Sequence, residues 1–428
     1  MGQTIAEKIF SRKNLAETPV QAGDIIDAKV DGVLIGRDLW QLDDHLIKAG
    51  FPGGLPKLFD KERVYLLMEH YQPASDIHYA TRNRRTREVA RRLGAKHFYD
   101  AIPGIEHQMM CDLGFVRPGE LVLGNDSHTV MYGALNAAST GIGEADIAYA
   151  ATFGELWFRV PSTVKVVLNG THRKYPFAKD IMMHMAATYG DDFAQYKAIE
   201  YTGPLAQAMS LDSRMCMSDQ SVELGGKFGF FDADETTLEY TRARTDLPFE
   251  VAKADPDAEY ERTVEVNVDE LPFYVSKPHH FKNGVPVGDV AGTKIDQAGV
   301  GSCANGRFED LAIVSRILRG RKIHPRTRFL IAPGSYGVLS QCLDAGILQD
   351  IIDAGAHLIS PGCGVCSGRQ GFLTSGEVAI TASTRNHKGR MGSPESFVYL
   401  GGPATVAASA VAGEIVDPTE VLREIGLI

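Results

Sequence analysis

The chain has 428 residues, with 44 lysines and arginines against 54 aspartates and glutamates and a formal net charge of −10. Hydrophobic residues at 44% and charged residues at 23% lie near the globular average, which excludes a disordered, collagen-like or coiled-coil chain. The length suits roughly two to four domains, and an acidic balance without a Lys/Arg block argues against nucleic-acid or membrane-surface partners, whose phosphates need clustered positive charge.

The opening stretch, 1–15, lacks the apolar core of a secretory signal, and no apolar run is long enough to span a bilayer, so a cytoplasmic protein is expected. Six cysteines in so long a chain are too sparse for a disulfide scaffold, and a cluster of them reads as metal or catalysis. In that setting the Asn-Gly-Thr sequon at Asn169 carries no meaning.

Apolar strand-like runs alternate with helix-like segments, the pattern of an α/β fold. In chain order, strands are expected at 64–68 and 121–124 in a first region, 1–161, which also holds an Ala- and Gly-rich stretch at 131–153. A second region, 162–283, opens with a strand at 163–168 and passes through a charged, less regular segment, 232–277, expected to be surface excursion or linker. The third region, 284–428, is expected to hold a helix at 311–318 and strands at 329–332, 358–360 and 378–382.

Unusual polar loops follow four of these strands. They are Glu69-His70; Gly124-Asn125-Asp126-Ser127-His128; Pro361-Gly362-Cys363-Gly364-Val365-Cys366; and Arg385-Asn386-His387-Lys388-Gly389-Arg390. Ligands of open α/β sheets bind beyond the carboxyl ends of the strands, so four reactive loops at such ends point to one shared site.

Alone, the Cys363-x-x-Cys366 pair fits a redox couple, half a zinc site, part of an iron–sulfur site, or two reduced thiols. Cys303 narrows the choice, because it lies in a second glycine-rich loop, Gly301-Ser302-Cys303-Ala304-Asn305-Gly306-Arg307, and three thiolates in two such loops make a metal site. Structural zinc wants four ligands, and only a histidine is at hand to complete them. A [4Fe–4S] cluster on three thiolates keeps one iron open, which suits elimination or addition of water. Cys111, Cys216 and Cys342 sit in helix-like or mixed segments and are expected to be buried, unpaired thiols.

These motifs, with Arg385-Asn386-His387-Lys388-Gly389-Arg390-Met391-Gly392, resemble those of the aconitase superfamily over essentially the whole chain. The nearest type is the large subunit of 3-isopropylmalate dehydratase, with homoaconitase and dimethylmalate dehydratase as relatives. The resemblance implies three α/β/α domains around a central iron–sulfur site, without the swivelling fourth domain of aconitases, which such dehydratases carry on a separate small subunit. It implies one [4Fe–4S] cluster per chain on Cys303, Cys363 and Cys366, and an active-site glutamate at Glu223. Arg385, Arg390 and Ser127 take substrate-binding positions, and a guanidinium fork suits a carboxylate better than a lysine does. His70, His107, Asp126 and His128 match acid/base and hydrogen-bonding positions around the departing hydroxyl. His387, Lys388, His279 and His280 read as surface charge.

The sequence also departs from the family pattern. Asp219-Gln220 replaces an Asn-Met before the glutamate, Thr384 replaces an Asn before the first arginine, and Glu69 and Glu106 differ from the common choices. Trp40 stands where a small residue is expected; an indole lining the pocket favours a compact apolar substituent over a carboxylate-bearing chain.

The expected function is that of the large catalytic subunit of a [4Fe–4S] hydro-lyase acting on a small branched hydroxy-dicarboxylate such as 3-isopropylmalate or a methylated malate, a step of branched-chain amino-acid biosynthesis, inactive without its small subunit. The alternatives are a homoaconitase- or aconitase-type tricarboxylate hydratase, or a non-catalytic metal- or RNA-binding relative. The acidic charge and the three cysteines count against the last.

Overall fold

The computed structural model describes residues 2–36, 39–70, 72–100 and 104–428. Arg37 and Asp38, part of the stretch that carries Trp40, lie outside the described residues.

Three mainly parallel sheets carry the chain. The first has five parallel strands in the order His97–Tyr99, Val64–Leu67, Gly32–Ile35, Leu121–Gly124, Ala138–Gly141. Its three central strands are buried at every position, as expected where helices or other layers cover both faces. Alternation divides their side chains: Val33, Val64, Leu66, Leu121 and Leu123 join one core, and Leu34, Tyr65, Leu67 and Val122 the other. Cys303 belongs to the second of these cores, so that face of the first sheet is packed against a loop of the third.

The second sheet orders Phe228–Phe231, Ala198–Thr202, Thr163–Asn169 and Arg262–Asn267, all parallel. The last strand corrects the reading of 232–277 as excursion or linker. On this edge strand only Val266 is buried and polar or charged residues occupy four of the other five positions, so the period-two signal is weak. The helix Glu235–Arg242 also falls in that segment.

The third sheet has seven strands, ordered Gly284–Pro286, Tyr274–Ser276, Phe397–Gly401, Val378–Thr381, Gln297–Val300, Arg328–Ile331 and His357–Leu358. The Tyr274–Ser276 strand pairs antiparallel with its neighbours, and the rest are parallel. The sheet therefore recruits backbone from upstream of residue 284. One continuous core joins the second and third sheets, running from Val164 and Phe231 to Ile380 and Leu400. Among the described residues no helix is long and apolar enough to cross a membrane.

The N-terminal helix Ile5–Lys13 starts with a capping box, Thr4 and Glu7 satisfying each other's backbone N–H groups. It docks through Glu200 of the second sheet, which is 1% exposed and accepts hydrogen bonds from the Ile5 N–H (2.7 Å) and the Tyr260 hydroxyl (2.7 Å). Burial outweighs both bonds and pushes the Glu200 carboxyl up to about 7. The unfolded chain ionises near the ordinary carboxylate value while the fold resists ionisation, so the linked stability falls as pH rises through roughly 4.5 to 7. Glu200→Gln, which keeps an acceptor for Ile5, is expected to remove that slope from urea unfolding measured across this window.

Candidate active site

The carboxyl ends of the first and third sheets face a common region, and the loops leaving them carry the reactive groups. From the first sheet, Val64–Leu67 leads to Glu69-His70 and Leu121–Gly124 leads to Asn125–His128. Asn125 accepts the Gly36 N–H (3.0 Å) and ties the neighbouring strand end to this loop. Asp126 is the N-cap of the 3-10 helix Ser127–Leu135 and accepts the His128 N–H (2.9 Å), which fixes both side chains relative to the strand.

Asp126 is the hub of a buried chain of carboxylates and imidazoles. Its Oδ1 lies 3.2 Å from His107 Nε2 and 3.4 Å from His128 Nδ1, and its Oδ2 lies 3.9 Å from His70 Nε2. His70 Nδ1 is 2.6 Å from Glu69 Oε1, His107 Nδ1 is 3.2 Å from the Tyr132 hydroxyl, and His128 Nε2 is 3.4 Å from Glu223 Oε1. Glu223, on the short 3-10 helix Ser221–Leu224, also accepts Arg385 Nε (2.5 Å), and Arg385 Nη1 donates to Ser127 Oγ (2.9 Å). His70, His107, Asp126, Ser127, His128, Glu223 and Arg385 thus form one connected constellation.

The electrostatics follow from this packing. Burial acts to lower His70, but the Glu69 carboxylate, then Glu106 and Asp126, outweigh it and raise the imidazole to about 9. His128 is likewise opposed by burial and by Arg385, yet Asp219, Asp126 and Glu223 carry it up to about 9. Burial works to raise Asp126 and Glu223, and their histidine contacts, joined at Glu223 by Arg385, hold both below the usual carboxylate range.

The three cysteines come from the third sheet. Gln297–Val300 runs into Gly301, whose φ of +147° and close backbone approach to Ala332 admit only glycine, and then into Cys303. Arg307, fully buried, holds this loop through the carbonyls of Cys303 and Ala304 and through Gln108 Oε1 (2.9 Å). Cys363 and Cys366 sit after His357–Leu358, and all three thiols are buried and free of disulfides.

Cys366 lies beside Cys363, 3.5 Å from Arg390 Nη2 and 3.4 Å from Thr384 Oγ1. The Cys363 contact, aided by Arg390, pulls Cys366 well below the ordinary thiol value, while the same contact and burial push Cys363 well above it. Burial, then the Asp219 carboxylate, raises Cys303. One carboxylate links the two halves of the site: Glu69 Oε2 accepts the Cys363 N–H at 2.9 Å.

Residues outside the sequence-derived set also matter. Glu106 is wholly buried with neither carboxylate oxygen hydrogen-bonded, and burial lifts it to about 7. It fits only because position 36 is glycine, where a Cβ would fall 1.4 Å from Glu106 Oε2. His70, Glu106 and Asp126 bring potential ligand atoms within 4.8 Å of one another, as do Glu69, His70 and Cys363. Lys179, wholly buried in an Ala- and Met-rich helix, had only its place in an apolar run to mark it. Cys111, Cys216 and Cys342 are buried as expected, and His387 and Lys388 are exposed. Trp40 lies in the helix Leu39–Lys48 with its ring 4.5 Å from the Arg82 guanidinium.

The sequence profile of the aconitase family (aconitate hydratase) matches residues 72–292 and 282–413. The chain belongs to the aconitase family. Among similar aconitase-family proteins is the 3-isopropylmalate dehydratase large subunit of Moorella thermoacetica, 40% identical over 99% of this chain and 100% of that protein. The protein of the same name from Oleidesulfovibrio alaskensis is 42% identical over 98% of this chain and 99% of its own length. Large subunit 1 of Pyrococcus abyssi is 40% identical over 99% of this chain and all of its own length. The crystal structure of Thermococcus kodakaraensis aconitase X in its holo-form superposes with a TM-score of 0.50 at 13% identity, covering 85% of each chain, and supports the fold alone.

For this aconitase-family chain the raised His128 value has a definite sign. A histidine whose native value exceeds its unfolded one contributes stability that is complete below about pH 6.5 and is lost as pH rises through about 9. Chemical unfolding followed from about pH 6 to about pH 10 is expected to show this loss, and His128→Asn is expected to reduce it, with His70 supplying the slope that remains.

Proposed function

We propose that this chain is the large subunit of a [4Fe–4S]-dependent hydro-lyase that dehydrates and rehydrates a small branched hydroxy-dicarboxylate; its relatives are named as large subunits of 3-isopropylmalate dehydratase. The observation that carries the reading is the meeting of three buried cysteines with one connected set of histidines, carboxylates and arginines, through the Glu69–Cys363 bond. Proteins of this family generally carry a [4Fe–4S] cluster, and the donor set fits one. Cys303, Cys363 and Cys366 supply three soft ligands from two glycine-rich loops, and Arg390 at Cys366 Sγ supplies compensating charge.

When bound on three thiolates, such a cluster leaves one iron open to act as a Lewis acid toward a substrate's hydroxyl and carboxylate. The chain's own groups do the rest. Arg385 and Arg390 offer guanidinium forks to carboxylates, and Ser127 holds Arg385 in place from the first sheet. His70 and His128 are kept charged by their flanking carboxylates and hold transferable protons at the ring nitrogens that face Asp126 and Glu223. A hydroxide leaves as water when a proton reaches it from one of these imidazoles. The proposal places the base that removes the carbon-bound proton on a separate small subunit, in line with the relatives' designation as large subunits. We assign residues 1–161, 162–283 and 284–428 to three domains that meet at this site, with the strand Tyr274–Ser276 of the second lent to the sheet of the third. Isopropylmalate or a methylated malate ranks above homocitrate and citrate as substrate.

Anaerobically purified protein is expected to be brown, with about four irons per chain. Cys303→Ser, Cys363→Ser or Cys366→Ser should abolish the colour and Cys342→Ser should keep it; stoichiometric zinc without sulfide would refute the cluster. Hydration activity should appear only on adding a small subunit of the dehydratase type, and turnover by this chain alone would put the base here. With both subunits present, Arg390→Lys keeps the charge but loses the fork, and kcat/KM should drop by an amount equivalent to about 2–3 kcal/mol, the scale of a lost charged hydrogen bond.

A further inference from the structure

The helix Ala178–Tyr189 of the second sheet's layer carries Lys179, which is 1% exposed. Its ammonium donates to the Ser383 carbonyl (2.6 Å) and more weakly to the Ala382 carbonyl (3.4 Å). Among the described residues no carboxylate pairs with it. Asp180, its chain neighbour, makes no ion pair with it: Oδ1 accepts the Tyr274 N–H (2.8 Å) and Oδ2 is buried without a hydrogen-bond partner. The Phe281 ring lies 6.0 Å from the ammonium, but a buried ammonium without an opposite charge is costly, more so than two carbonyls and a distant ring face offset. The fold therefore supplies the negative charge from somewhere else.

The backbone that Lys179 grips shows where. Ala382 also accepts a hydrogen bond from Ser302 Oγ (3.1 Å), and Ser302 precedes Cys303. Ser383 precedes Thr384, whose hydroxyl lies 3.4 Å from Cys366 Sγ. Lys179 thus holds the short segment that both cysteine loops touch. Asp219 joins the same environment from the helix Leu211–Gln220, wholly buried and with Oδ1 lacking a hydrogen-bond partner. Burial works against the Lys179 ammonium, and the groups that favour its charge include Cys216, Asp219, Cys366 and Cys303, with Asp180 beside it in the chain.

We propose that Lys179 is the fixed counter-cation of the three-cysteine site, a positioning residue that offsets the charge of the thiolate-bound group together with that of Asp219. The proposal rests on the cluster reading given above. Arg390 approaches Cys366 from its own loop in the third sheet, whereas Lys179 approaches from the helix Ala178–Tyr189. A positive charge near a redox centre favours its more reduced, more negative state, so its removal makes reduction harder.

The test compares wild type, Lys179→Met and Lys179→Arg as anaerobically purified full-length chains. Iron and sulfide content are measured first, then the cluster's midpoint potential by redox titration, and the rate at which its visible absorbance fades in air. In Lys179→Met the oxidised-to-reduced ratio at fixed potential is expected to rise about tenfold, which is 59 mV toward negative potential for a one-electron couple, and fading is expected to accelerate; Lys179→Arg should restore both. Equal potentials and fading rates in wild type and a folded Lys179→Met protein would overturn the proposal and leave Lys179 as a clamp on Ser383. So would a Lys179→Arg protein as altered as Lys179→Met. If Lys179→Met fails to fold by circular dichroism, Lys179→Gln carries the comparison, since it keeps a donor for Ser383 and removes only the charge. Wild-type protein without iron and sulfide would instead refute the cluster reading itself, before any variant is compared.

Discussion

Burying charge is the constraint on which the site depends. Taking an ion out of water costs several kcal/mol unless an opposite charge and hydrogen bonds meet it there. In this protein Glu69, His70, His107, Asp126, His128 and Glu223 are each less than a tenth exposed. Their pairing is therefore obligatory. Each imidazole lies against at least one carboxylate, and Asp126 serves three of them. Deleting Asp126 would take one carboxylate contact from all three imidazoles at once, so it is the residue on which the arrangement is most dependent.

The same constraint explains why the site straddles two sheets. Neither sheet supplies a balanced set of charges: the first contributes carboxylates and histidines, the third thiols and arginines. Glu69 to the Cys363 N–H, Ser127 to Arg385 and Gln108 to Arg307 are among the bonds that join them. Core packing makes the same connection, with Cys303 set among Leu34, Tyr65 and Met131. The second sheet adds Glu223 and Lys179 from its helices rather than from its strand ends.

Much of this was legible in the sequence because the chemistry lies in short, dense loops directly after apolar strands. Asp126-Ser127-His128 and the two cysteine loops announce themselves by composition. Single residues in ordinary-looking surroundings did not. Lys179 sits among Ala and Met, where nothing distinguishes a snorkelling surface lysine from a buried ammonium until the packing is seen. Arg262–Asn267 looked irregular because an edge strand needs only one buried side chain. Glu106 stood out only as an uncommon choice beside His107, and its isolation depends on the strand end at Gly36, far away in sequence.

That last contact constrains how the sequence can change. The Glu106 carboxylate fills the space that any side chain at position 36 would require, so the two positions cannot vary independently. A lineage acquires the glutamate only after, or together with, glycine at 36, and once it is present every substitution of that glycine collides with it. Mutational paths through this corner of the site are ordered, and a library that varies position 36 alone samples mostly dead ends.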